Sequence, residues 1–302
     1  MYYVVYGLLW LLSLLPFRVL HFIGDGIFLL VFYVFKYRKR VVLNNLSIAF
    51  PEKTAKERMR IARQFYHNFI DSMMESIKFI TITKKQIQKR STGEFDLINS
   101  LIEKGNNVHM MAGHQFNWEF GNLLYAMNLK KPFVGIYMPV TNKILDKIFF
   151  DIRKRYGTIL ISAEDFKTKM HAVFSDQHIL GLAADQNPGH PGNAYWVNFF
   201  GKPTPFVTGP SKGAVKYNAA VVIIGFRKIR RGYYSFSCSL IAESGTQFTP
   251  QQLTLKYKNE LEKIIRADPA NYLWSHRRWK YEWKPEYGEI VNEEAPLKSG
   301  AV

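Results

Sequence analysis

The stretch Met110-Met-Ala-Gly-His-Gln-Phe-Asn-Trp-Glu-Phe-Gly121 decides the fold, because it joins an apolar run to a helical pattern through a short polar turn. We interpret Val108–Ala112 as a buried strand and Phe120–Met127 as the start of a helix. Asn117 is a plausible N-cap for that helix. A strand–turn–helix unit places side chains at the C-terminal edge of a sheet, where α/β proteins bind ligands.

Two titratable residues of this turn, His114 and Glu119, are five positions apart. Five helical steps separate two side chains by roughly 140°, so they can meet only if His114 lies in the turn and Glu119 in the first helical turn. That arrangement predicts an imidazole oriented by a carboxylate, which is a common way to build a general base. On spacing alone, a hydrogen-bonded structural histidine is the favoured interpretation, and the strand–turn–helix context favours the functional one.

Helical and strand patterns alternate along the rest of the chain. Thr54–Ile80 is predicted to be a helix that begins with the capping box Thr54-Ala-Lys-Glu57. Further helices are predicted at Lys84–Arg90, Phe95–Glu103, Asn142–Arg153, Asp165–Phe174 and Pro250–Arg266, and strands at Phe133–Met138, Thr158–Ser162, Ile179–Ala183, Ala219–Phe226 and Tyr233–Ile241. This order indicates an α/β fold with a largely parallel central sheet flanked by helices. The last two strands should form a hairpin through Arg227–Gly232 at a solvated edge, and the polar tail beyond Pro285 should fray.

The N-terminus and the charge balance point to a membrane. Residues 1–15 carry no charge, a second apolar run covers 19–35, and Lys36-Tyr-Arg-Lys-Arg40 follows. We predict that residues 1–40 form a hydrophobic, helical, membrane-associating segment and that residues 41–302 form the α/β domain. Neither run reaches about 20 apolar residues cleanly, so a short or re-entrant membrane helix and a helical pair in the interface are both open, as is a buried soluble hairpin. The 302 residues carry a formal net charge of +17, which suits an anionic membrane surface or nucleic acid.

Three further groups of residues are candidates for a site. Arg153 and Arg155 end a predicted helix, where they either favour the helix dipole or bind a phosphate or carboxylate. Asp185 and Gln186 follow the strand Ile179–Ala183, so they should lie at the same sheet edge as His114. The block Tyr272–Lys280 mixes aromatic residues with His276, Arg277 and Arg278, which suits lipid phosphates, stacked bases or a solvated basic edge.

Other patterns narrow the chemistry. The aromatic stretch Tyr195–Phe206 either lines an acyl-chain pocket or covers the core, and Thr208-Gly-Pro begins another helix. The sequence contains no Walker loop, dinucleotide-binding glycine motif or Gly-x-Ser-x-Gly elbow. The single cysteine, Cys238, and the scattered histidines give no zinc pattern, so no metal is expected.

Taken in order, these blocks resemble the bacterial lipid A biosynthesis acyltransferase family. The matching pieces are Gly113–Glu119, Arg153–Arg155, Ala184–Gln186, Asn198–Gly201 with Pro205 and Thr208-Gly209, and Tyr272–Lys280. The resemblance covers essentially the whole chain, and the His-x4-acid motif is shared with the wider glycerolipid acyltransferase superfamily. It implies that residues 41–302 form an acyltransferase domain.

The resemblance also implies a mechanism. His114, polarised by Glu119, would deprotonate a hydroxyl of a lipid A precursor or similar anionic glycolipid, which would attack an acyl thioester. Arg153 and Arg155 would hold acceptor phosphate or stabilise developing negative charge, and Asp185 would orient the acceptor or support the site. Gln186, His276, Arg277 and Arg278 are the remaining expected substrate contacts.

The resemblance implies partners and a location as well. The expected donor is acyl carrier protein, an acidic partner for a +17 enzyme, with coenzyme A thioesters as the alternative and no further cofactor. The expected location is the inner (cytoplasmic) membrane, with the active site facing the cytoplasm. A phospholipid, aminolipid or other glycolipid acceptor remains open. A basic nucleic-acid-binding protein and a non-catalytic membrane scaffold are the alternatives from other classes, although nucleic-acid binding gives the apolar N-terminus no role.

Overall fold

A computed structural model describes residues 1–292, apart from the side chains of residues 167 and 173. The α-helices are α1 Tyr2–Leu14, α2 Phe17–Leu29, α3 Lys39–Ala49, α4 Ala55–Lys78, α5 Lys84–Arg90, α6 Asp96–Glu103, α7 Trp118–Asn128, α8 Lys143–Lys154, α9 Phe166–Phe174, α10 Gly209–Lys216 and α11 Pro250–Ala267. The strands are β1 Ser91–Gly93, β2 Val108–Ala112, β3 Phe133–Tyr137, β4 Ile159–Ser162, β5 Ile179–Ala183, β6 Ala194–Phe199, β7 Lys202–Val207, β8 Ala220–Arg230, β9 Tyr233–Ala242 and β10 Ile290–Val291.

A seven-stranded sheet with the order β1-β9-β8-β2-β5-β3-β4 forms the centre of the molecule. Its neighbours pair in parallel except for β8 and β9, which form an antiparallel hairpin. Helices between successive strands return the chain to the same edge, as parallel pairing requires. The predicted α/β fold with a largely parallel sheet is therefore confirmed.

The two central strands β2 and β5 bring two predicted site turns together. They pair in register from Val108 opposite Ile179 to Ala112 opposite Ala183. Because both strands end at the same edge, the turn containing His114 lies next to the turn containing Asp185. The prediction that these two turns share one edge is confirmed.

A second, three-stranded sheet has the order β10-β6-β7. Trp196, Phe199 and Phe206 of this sheet are buried. These three aromatic residues therefore cover the core, which was one of the two interpretations of this stretch. The prediction that the tail frays beyond Pro285 is wrong for Ile290 and Val291, which pair with β6; the part of the tail from 293 to 302 lies outside the described residues.

The β8–β9 hairpin turns more tightly than the sequence predicts. Residues 227–230 continue β8, so only Arg231 and Gly232 form the turn. The Arg231 guanidinium is not simply solvated, because it donates to Asp71 and Asp25 at distances between 2.6 and 3.1 Å. The hairpin is thereby tied to α4 and α2 rather than lying free at a solvated edge.

The N-terminal helices are apolar and pack on α4, whose predicted capping box at Thr54 is present. One segment, Phe17–Val34, is long and apolar enough to cross a membrane, and only 33% of it is buried within the protein. Phe22 is 78% exposed and Phe35 72% exposed. The opposite face of α2 is anchored by His21, whose Nε2 lies 2.9 Å from Glu75 Oε1. An exposed apolar face of this kind suits association with a membrane.

Candidate functional site

The turn between β2 and α7 is held in one shape by a helix cap and by a close approach of α11. Asn117 Oδ1 accepts from Phe120 N at 3.2 Å, so the predicted N-cap is confirmed. A Cβ at Gly113 would lie 2.5 Å from Leu261 Cδ1 of α11. Glycine lets α11 pack directly under the turn, and His114 follows immediately.

The imidazole of His114 is paired with Asp185. The two atoms Nδ1 of His114 and Oδ1 of Asp185 are 2.6 Å apart, and the His114 backbone N–H donates to Asp185 Oδ2 at 3.0 Å. The Asp185 side chain is 1% exposed and that of His114 is 24% exposed. The carboxylate therefore fixes both the backbone and the ring of His114, and it fixes the tautomer with the proton on Nδ1.

The pair perturbs both pKa values. Burial lowers the pKa of His114, but the charge and hydrogen bond of Asp185 outweigh burial and leave it raised. Burial raises the pKa of Asp185, but His114 and the nearby Tyr272 hydroxyl outweigh burial and leave it lowered to about 2. Asp185 is thus ionised at neutral pH, and a basic nitrogen of His114 remains. That nitrogen is Nε2, to which no residue in the described part of the chain is hydrogen-bonded.

The prediction that Glu119 orients His114 is wrong. Glu119 instead forms a partly buried bidentate pair with Arg153, whose Nε donates to Oε2 at 2.8 Å and whose Nη2 donates to Oε1. Trp118 Nε1 donates to the same carboxylate at 3.1 Å. The physical reason is that Glu119 lies in the first turn of α7 with its side chain towards α8, whereas the β5 turn is closer to His114. The Glu119–Arg153 pair therefore joins α7 to α8 beside the site.

A C-terminal segment, Asn271–Arg278, braces the turn that carries His114. Leu273 N donates to His114 O at 2.9 Å, and Phe116 N donates to Asn271 O at 3.0 Å. The Asn271 side chain donates to Phe116 O at 2.6 Å. Gln115 and Tyr272 form an isolated antiparallel bridge. The segment that the sequence singled out for its basic residues thus acts on His114 mainly through its backbone.

The predicted basic residues of this segment have different surroundings. Arg278 is 1% exposed, and its Nη1 donates to Asn187 Oδ1 at 2.8 Å and to Pro205 O at 3.0 Å. His276 is partly buried; burial, with the positive charge of Arg278, lowers its pKa to about 4, so it is neutral. Arg277 is exposed. Only Arg277 of the three presents a charged group to solvent.

The other two predicted site residues, Arg155 and Gln186, have separate surroundings. Arg155 Nη1 donates to the backbone carbonyl of Phe79, which ties the end of α8 to the end of α4. Gln186 follows Asp185 and is partly buried. Their roles in substrate binding stay predictions. Within residues 1–292, no group of three or more His, Cys, Asp or Glu side chains could hold a metal ion.

Glu75 is a site-supporting residue that the sequence analysis did not find. It is fully buried, and it accepts from Asn117 Nδ2 at 3.0 Å and from the Tyr234 hydroxyl at 2.6 Å, in addition to its contact with His21. Glu75 therefore connects α2 to the N-cap of α7. No signal in the sequence singled it out, because the buried face of α4 also carries Asn68, Asp71 and Ser72.

Comparisons with known proteins give a family match and several relatives. Residues 1–281 match the model of the family described as bacterial lipid A biosynthesis acyltransferase. The chain is 23% identical over 276 residues to the lipid A biosynthesis palmitoleoyltransferase of Escherichia coli (strain K12), covering 91% of this chain and 89% of the relative. It is equally similar, with the same coverage, to the lauroyltransferase of that organism. It is 25% identical over 272 residues to a lipid A biosynthesis acyltransferase of Haemophilus influenzae (strain ATCC 51907 / DSM 11121 / KW20 / Rd), covering 88% of this chain and 86% of the relative.

Proposed function

Because the chain belongs to the bacterial lipid A biosynthesis acyltransferase family, and is an O-acyltransferase on that ground, we propose that it transfers a fatty acyl group from an acyl thioester to a hydroxyl of a lipid A precursor or similar anionic glycolipid. The observation that carries the proposal is the His114–Asp185 pair at the C-terminal edge of the sheet. It leaves one basic nitrogen, Nε2, directed away from the carboxylate. A base of this kind is what activation of a hydroxyl requires.

In the proposed reaction, Nε2 of His114 takes the proton of the acceptor hydroxyl as its oxygen attacks the thioester carbonyl. The new C–O bond forms, the C–S bond breaks, and the leaving thiolate receives the proton from His114. Asp185 stabilises the imidazolium that exists between these two transfers and acts as the orienting carboxylate. Glu119 and Arg153 support the site as a pair, and no acyl-enzyme forms.

The donor is most simply acyl carrier protein. A chain with a net charge of +17 attracts an acidic partner and raises the rate of encounter. The exposed apolar helices of the N-terminus would hold the enzyme on the inner (cytoplasmic) membrane, where a lipid acceptor is present. The cations of residues 36–40 follow directly, and the excess of Lys and Arg in cytoplasmic flanks supports the proposal that this flank, with the active site, faces the cytoplasm.

The test is identification of the product by mass. The purified protein, in detergent, is incubated with acyl-carrier-protein and coenzyme A thioesters of several chain lengths and with total bacterial lipids. We expect one lipid class to gain the mass of a fatty acid minus water, with a phosphate-bearing glycolipid as the acceptor. Acylation of a phosphate-free lipid alone, or no acylation with any donor, would contradict the proposal.

A further inference from the structure

Two exposed arginines belong to the surroundings of His276: Arg38 contacts the segment that carries it, and Arg277 follows it in the chain. Arg38 immediately precedes α3, and its Nη1 donates to Ser275 O at 3.1 Å. Arg277 follows His276, and its backbone carbonyl accepts from Asn187 Nδ2 at 2.7 Å. One arginine thus comes from the N-terminal part of the chain and the other from the C-terminal brace.

Both arginines belong to the surroundings of His114. The brace that carries Ser275 and Arg277 is bonded to the turn that carries His114 through Leu273 N and His114 O. His276 lies within electrostatic reach of His114, Asp185 and Arg38 alike. The Arg38 guanidinium is therefore held at the brace, and Arg277 is exposed on the same segment, next to His276 in the chain.

The positive charge at this place is not neutralised. Residues 26–51 and 269–281 contain no aspartate or glutamate. Among the residues that the structure describes, neither Arg38 nor Arg277 forms an ion pair with a carboxylate, whereas Arg153 and Arg231 are fully engaged by acidic side chains. An anionic ligand would supply the missing partner, and guanidinium groups bind phosphate with two parallel hydrogen bonds.

We propose that Arg38 and Arg277 bind a phosphate group of the anionic glycolipid acceptor and so position its hydroxyl at His114. This inference rests on the proposed function. A lipid headgroup is favoured over the carrier protein because Arg38 directly follows an exposed apolar segment that ends at Phe35. A lipid whose chains lie along that segment would have its phosphate at the level of Arg38. Of the two cations predicted from the sequence to hold acceptor phosphate, Arg153 is paired with Glu119 and Arg155 donates to the backbone carbonyl of Phe79.

The experiment compares Arg38→Ala, Arg277→Ala and the double variant with Lys85→Ala, which removes one exposed charge from α5. Initial rates are measured with a phosphorylated lipid A precursor and with the same precursor after phosphatase treatment. For the phosphorylated acceptor, we expect the KM to rise about tenfold in each single variant, as loss of one charge-assisted hydrogen bond predicts, with kcat within about twofold. The phosphate-free acceptor and Lys85→Ala should show no such change.

Binding of the phosphorylated precursor is also titrated in detergent, with His114→Ala as the background, so that the inference is tested even if the proposed reaction is absent. There, Arg38→Ala should weaken binding about tenfold. An equal effect on both acceptors would show that the arginines only brace the fold. A rise in the KM of the donor alone would identify a carrier-protein surface. An equal effect on both acceptors, a rise in the donor KM alone, or unchanged binding of the precursor would each overturn the inference. A wild-type protein that binds the precursor but transfers no acyl group would overturn only the proposed function.

Discussion

Replacing Asp185 by asparagine tests whether His114 is oriented by the carboxylate of Asp185 or by that of Glu119. The substitution keeps the shape of the side chain and removes the charge that lies 2.6 Å from Nδ1. Two unit charges about 4 Å apart interact with about 4 kcal/mol at an effective dielectric constant of about 20. The imidazolium formed during the reaction loses that stabilisation, so kcat should fall by about 10³-fold.

The pH dependence of kcat/KM gives an independent readout of the same variant. Asp185 raises the pKa of His114, and activity is lost as the pH falls through that pKa, because a protonated His114 is no base. In Asp185→Asn the pKa of His114 falls, so the acid limb should move to lower pH while the maximum rate drops. Glu119→Gln is the matched control: it weakens the pair with Arg153 and should leave the acid limb in place. If Glu119→Gln moved the acid limb and Asp185→Asn did not, our assignment of the orienting carboxylate would be refuted.

Three other changes separate stability from catalysis. Glu75→Ala leaves His21, Asn117 and Tyr234 without a buried partner, so the free energy of unfolding measured in urea should fall by about 3–5 kcal/mol. Glu75→Gln should lower it less. Equal stability of the wild type and both variants would contradict this prediction. Thr54→Ala removes the capping box of α4 and should lower the unfolding free energy by about 1 kcal/mol with unchanged kcat, since the cap is far along the helix from the site. Tyr272→Phe removes the hydroxyl beside Asp185, so kcat should fall about fivefold. The acid limb of the kcat/KM profile should move to higher pH, because the carboxylate then attracts the proton of His114 more strongly. A shift to lower pH would argue against this contact.

The periodicity of the sequence predicted most of the fold. Strands such as β2 and β5 are apolar and short, and they alternate with amphipathic helices, so their parallel pairing follows from the order of elements. That argument also placed His114 and Asp185 at one edge. It could not give the pairing of side chains, since Glu119 and Asp185 are both within plausible reach of His114 until the direction of each side chain is known.

Long-range contacts account for the other differences. The C-terminal brace reaches His114 through backbone groups, which residue identities do not reveal. Glu75 was not found from the sequence, because its partners come from α2, the turn that carries His114, and β9, which are distant from it in the chain. The hairpin turn was predicted to be solvated from its four cationic residues, but Arg231 meets acidic side chains that are about 160 and 206 residues earlier in the chain.

The most direct test of the account is a single-turnover measurement of acyl transfer by wild-type protein and by His114→Ala, with excess enzyme, one acyl-carrier-protein thioester and one phosphorylated lipid A precursor. Donor and acceptor binding are measured for both proteins to ensure that each complex forms. If His114 is the general base, His114→Ala should bind both substrates like wild type and form product about 10²–10⁴-fold more slowly. Product formation at the wild-type rate by a folded His114→Ala protein would contradict the account.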